Sequence, residues 1–174
     1  VKVLRSVGDG RLTLQVGEHR QQPDFHVQLS FAGHVFNVVF EIDNGTEPLD
    51  SLREHSIRTK ISGYETYQDW VMQLWKESGE NGPRPGFRVV FLTTGMERVN
   101  HILWLAKELA KNPGRRLVYA TTQDVYLGEP HAVTQPILND HHGCWQAIVN
   151  TQPSSQFLRE TVRLTPPVAP PRRL

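Results

Sequence analysis

Phe36-Asn37-Val38-Val39-Phe40-Glu41-Ile42-Asp43-Asn44-Gly45-Thr46-Glu47 reads as an apolar strand that ends in two carboxylates and breaks at a glycine. A strand repeats every two residues, so Val38, Phe40 and Ile42 share one face while Val39, Glu41 and Asp43 share the other. Two acids on one face of a strong strand are costly to bury without compensation. A metal ion or a strong donor would resolve that cost, so the flanking sequence has to be read for either.

On the N-terminal side, Phe31-Ala32-Gly33-His34 makes a short hairpin turn. The strand before it, Asp24 to Leu29, places Phe25, Val27 and Leu29 on one face and Asp24 and His26 on the other. Leu12, Leu14 and Val16 alternate with polar residues and predict a further strand. Residues 11–43 are thus expected to form a three-stranded meander, preceded by a lead-in over 1–10.

On the C-terminal side, Pro48 is read as opening a helix, because proline is tolerated in a first turn. Leu49, Leu52, Ile57, Ile61, Tyr64, Val71 and Leu74 extend it as one long helix, or as two in series with Gly63 near a bend. Phe87 to Leu92 is a short apolar run between turn signals, hence a buried strand. Thr94-Gly95-Met96-Glu97 matches a capping box for a helix carrying Val99, Ile102, Leu103, Leu105, Ala106 and Leu109. Leu117 to Ala120 is another buried strand, and Thr121-Thr122-Gln123-Asp124 a second cap. The order β-β-β-α-β-α-β predicts an α/β fold, a mixed β-sheet flanked by helices. Residues 1–128 are assigned to this domain and 129–174 to a C-terminal extension with a Pro-rich end. Trp145 to Val149 is either one more strand or a packing arm, and the end is expected to be extended and disordered when alone.

The chain has 174 residues, enough for one domain with a real core. Its net charge of +1 gives no global signal for nucleic acid, although a local patch can still exist. A single cysteine excludes an internal disulfide framework and suits a reducing compartment, so a cytoplasmic location is expected. No apolar run reaches the roughly 18 residues of a membrane span. The start at Val1 lacks an initiator Met and a signal-peptide pattern, which predicts a piece of a longer protein. His131, His141, His142 and Cys144 fit no standard zinc spacing. There is no P-loop, dinucleotide fingerprint or nucleophile elbow.

The chemistry-bearing residues follow from the hairpin. Asp24 precedes the turn by about as many residues as Glu41 follows it, so antiparallel pairing brings the two level. With Asp43, three carboxylates converge on one edge of the sheet. Such hard oxygen ligands suit Mg²⁺ or Mn²⁺, which next to a phosphate can activate water. The alternative is that these acids are exposed strand-end residues in turns. Arg53, Arg58 and Lys60 form a candidate phosphate-contacting stripe on the following helix, or are simply solvated.

Pro23-Asp24, then sixteen residues, then Glu41-Ile42-Asp43 resembles the PD-(D/E)XK nuclease-like pattern. The longer string from Phe40 to Glu47, with Ser56 to Tyr64 and Phe87 to Thr94 after it, is similar to the replication-relaxation family of plasmid and mobile-element proteins. The similarity covers about residues 20–125. It implies a restriction-endonuclease-like core and a DNA-processing, metal-dependent phosphodiester cleavage (nicking) activity. It also implies Asp24 and Glu41 as metal ligands, DNA as partner, and a helix-turn-helix before Val1. The family lysine falls at Asp43, and Asn44 stands where that family more usually has Arg. Asp43 would then be a further ligand, and Lys60 would supply the positive charge that orients or polarises the attacking water. The alternative is a catalytically inactive nuclease-like domain that binds DNA, forms a homodimer or docks a partner.

Overall fold

The structure, a computed structural model, describes residues 1–8, 12–17, 19–52, 56–82 and 85–149. In chain order its elements are β1 (Lys2–Gly8), β2 (Leu14–Val16), β3 (His19–Gln21), β4 (Phe25–Phe31), β5 (His34–Asp43), α1 (Ile57–Glu77), β6 (Phe87–Thr93), α2 (Met96–Leu109), β7 (Val118–Thr122), α3 (Gln123–Gly128), β8 (Leu138–Asp140) and β9 (Trp145–Gln146). One mixed sheet runs β1-β4-β5-β6-β7-β8-β9, and β2 pairs only with β3. The fold is α/β, as the alternation of strand and helix patterns predicted.

The β4–β5 hairpin sets the frame. Ala32 and Gly33 both have positive φ, 48° and 79°. This is the two-residue turn whose twist matches the flanking strands. It fixes a register in which Phe31 faces His34 and Phe25 faces Phe40. β6 then lies parallel to β5, with Glu41 beside Phe91 and Asp43 beside Thr93. A parallel pair needs a crossover, and α1 supplies it.

Each face of the sheet carries its own core. Val39, Val89, Phe91 and Ala120 pack with Ile57, Ile61 and Tyr64 of α1 and with Val99, Ile102 and Leu103 of α2. Val27, Val38, Phe40, Val90 and Tyr119 pack on the other face with Leu138, Ile148 and Val149. The alternation expected along β5 is therefore realised: Glu41 and Asp43 point to the helical face.

Several expectations change. The third strand of the meander is β1, paired antiparallel with β4, and not the 11–16 stretch. With β2 and β3 set apart, the main sheet keeps the β-β-β-α-β-α-β order. Helix α1 starts at Ile57, not at Pro48. Ser56 caps it by accepting from the Thr59 amide, and the Pro48 and Leu49 carbonyls accept from Ile57 and Arg58. The 48–52 segment thus folds back over the first turn, which Pro48 cannot outcompete. Gly63 marks no break in α1; a Cβ there would meet the Gln21 side chain at 2.1 Å, so the glycine permits close approach of β3. The capping box at Thr94 is not formed either. Gly95 is the N-cap of α2, with no side-chain cap bond, whereas Thr122 does cap α3 by accepting from Val125. The sheet continues past residue 128 through β8 and β9. The Pro-rich end lies outside the described residues. Among the described residues no helix is long and apolar enough to cross a membrane.

Candidate active site at the end of β5

Glu41 is 1% exposed and Asp43 is 2% exposed, so both acids at the strand end are buried. Each has its own cation. Lys60 and Tyr64 sit one turn apart on α1, on the same side of the helix, and both reach Glu41. Lys60 Nζ donates to Glu41 Oε2 at 2.8 Å, and the Tyr64 hydroxyl donates to Glu41 Oε1. The same ammonium donates to Glu47 Oε1 at 2.8 Å. Asp43 is clamped instead by Arg98 of α2, whose Nε and Nη2 take its two oxygens. Thr93 donates to Asp43 as well, and so does the Gly45 amide in the turn that follows. Arg98 also donates to the Glu47 carbonyl at 2.6 Å, tying the turn after β5 to α2.

Asp24 stands next to the Phe25–Phe40 pair, level with Glu41 as the hairpin count predicted. It is exposed, and its Oδ2 accepts from the Ile42 amide at 2.7 Å. Its charge is felt by Glu41 and by Tyr64.

Burial pushes the Glu41 carboxyl above its ordinary range, and this outweighs the opposing pull of Lys60 and of the Tyr64 hydroxyl. Burial alone would lower Lys60, but the Glu41 and Glu47 carboxylates more than offset it and raise it above 10.5. Burial, with the nearby carboxylates, holds Tyr64 well above 10.0. The consequence for stability has a definite sign. An unfolded chain releases the Lys60 and Tyr64 protons first, so their contribution is complete below about pH 10 and is lost as pH rises through the folded values. Chemical denaturation from pH 8 to 11 is therefore expected to show falling stability at the alkaline end. Lys60→Met with Tyr64→Phe should flatten that fall.

Two members of the expected phosphate stripe are engaged by acids of the protein itself. Arg58 pairs with Asp50 and Glu108, and Lys60 with Glu41 and Glu47. Arg53 lies outside the described residues. Tyr64, Glu47 and Arg98 are site members that sequence reasoning missed. Tyr64 was counted only as an apolar helix position, and Arg98 is 55 residues from Asp43. The i, i+4 spacing of Lys60 and Tyr64 was the one signal that could have linked them.

Among the described residues, no group of three or more His, Cys, Asp or Glu side chains is arranged to hold a metal ion. Asp43 is neutralised by Arg98 and has no oxygen left for one. Asp24 and Glu41 do offer hard oxygens on neighbouring strands, and Glu47 Oε2 is buried without a hydrogen-bond partner. Glu41 and Glu47 share Lys60, and Asp24 adds its negative charge to the surroundings of Glu41. Mg²⁺ is commonly held by one or two carboxylates with water and phosphate completing its shell, so Asp24 and Glu41 are the residues that would hold such an ion. Comparison with family models, with curated proteins and with solved structures finds no match for this chain.

Proposed function

We propose that the end of β5 is the centre of a metal-dependent phosphodiesterase, in a DNA-processing domain of the PD-(D/E)XK type with a restriction-endonuclease-like core. One observation carries this reading. Lys60 Nζ lies 2.8 Å from Glu41, so α1 delivers the lysine that the strand lacks at Asp43. The resemblance to the replication-relaxation pattern, with its departures at Asp43 and Asn44, points to the same chemistry.

Asp24 and Glu41 would hold Mg²⁺ or Mn²⁺. When bound, the ion would polarise a phosphoryl oxygen and make bound water more acidic. The chain's own residues do the rest. An ammonium has three donors. Glu41 and Glu47 take two of Lys60's, which leaves one for a phosphate oxygen or the attacking water. Tyr64 keeps Glu41 in place, and Arg98 fixes the turn that carries Glu47.

The test is the nicking of supercoiled plasmid DNA with Mg²⁺ or Mn²⁺. The wild type is expected to nick, and Asp24→Asn or Lys60→Met to lose about 100-fold or more. A second reading has its own observation: both Glu41 oxygens are satisfied inside the protein. On that reading the domain is a catalytically inactive nuclease-like scaffold for DNA binding, dimerisation or partner docking. DNA binding without nicking by any version would favour it.

A further inference from the structure

A groove of about 1320 Å³ opens at the other end of the sheet, where β5 and β6 begin. Its walls are the start of β5, the last turns of α1, the start of β6 and the connection into β7. Lys76, Arg88, Arg115 and Arg116 line it, against Asp69 as the one acid among its lining residues. These cations are not equally available. Arg115 is occupied by Glu65 and Asp69. Arg116 uses Nε on buried Asp140 at 3.1 Å and makes no other ion pair among the described residues. The Arg88 guanidinium meets only neutral groups: it donates to the Ala147 and Ile148 carbonyls and lies over the Phe36 and Tyr119 rings. Lys76 is exposed and has no ion pair among the described residues. Three cations thus line one open groove, while at the opposite end Asp24, Glu41 and Glu47 outnumber Lys60.

We propose that this groove binds the phosphodiester backbone of a nucleic-acid strand. Guanidinium forks and an exposed ammonium are the groups that recognise phosphate oxygens. The volume exceeds the ~300–1,000 Å³ of ordinary small-ligand pockets, which favours a polymer segment over a single nucleotide. The inference does not rest on the cleavage reading, because the groove and the Glu41 centre lie at opposite ends of β5.

Fluorescence anisotropy with a labelled single strand of about 20 nucleotides at about 50 mM salt tests it. Gln73→Glu with Lys76→Glu places acids on exposed positions of α1 and breaks no buried ion pair. The double variant is expected to bind about tenfold more weakly, with a salt slope smaller by about 0.7 for the lost Lys76 contact. Lys76→Gln alone should lose less. Duplex DNA competing as well as the single strand would support the groove as a reader of backbone alone. No binding by the wild type, or unchanged binding by both groove variants, would overturn the proposal. Competition by poly-glutamate or ATP as effective as by the oligonucleotide would overturn it too.

Discussion

Arg98→Ala is expected to destabilise the protein by about 3–5 kcal/mol, the usual cost of leaving one member of a buried ion pair behind. Asp43 is 2% exposed, and Arg98 holds both of its oxygens. Without the guanidinium only Thr93 and the Gly45 amide remain. These neutral donors cannot balance a buried charge. The same arginine ties the Glu47 carbonyl, so the turn after β5 should loosen as well. Equilibrium denaturation measures the loss. Asp43→Asn combined with Arg98→Ala should recover much of it, since removing both charges removes the cost of the unpaired one. A double variant as unstable as the single one would mean that the clamp on the turn, not the charge, was the stabilising element.

Lys60→Met is the second large effect, about 3 kcal/mol at neutral pH. Methionine keeps much of the apolar stem but leaves Glu41, 1% exposed, with Tyr64 as its remaining donor. The pH dependence identifies the cause. Glu41 is already pushed above 4.5 by burial, and loss of Lys60 pushes it further up. A carboxyl with a raised folded value keeps its proton in the native state while the unfolded chain releases it. Stability then falls as pH rises from about 4.5 through the folded value. The deficit of the variant should be small in acid and reach its full size above that window. A deficit independent of pH would point to lost packing instead.

How much of this was legible in the sequence varies by the range of the interaction. The hairpin placed Asp24 level with Glu41 because two short-range facts suffice: strand period, and a tight turn at Ala32-Gly33. The alternation along β5 was legible for the same reason. The partner of β4 was not, because β1 is distant in sequence and its residues are mostly exposed, with no clean alternation. The onset of α1 was missed because Pro48 and the apolar spacing imitate a first turn, while the deciding bonds run from Ser56 to Thr59 and back to Pro48. In the candidate site, the carboxylates announced themselves as buried charges on a strand. Their cations could not, since nothing local distinguishes Lys60 and Arg98 from Arg58, which an exposed acid, Asp50, takes up.

On the proposed reading, Asp24 and Glu41 hold a divalent ion beside Lys60. Calorimetric titration of the full chain with Mn²⁺ is the direct test. One ion per chain in the wild type, weakened at least about tenfold by Glu41→Gln with the fold intact, is the predicted result. No binding by the wild type, or equal binding by Glu41→Gln, would contradict it.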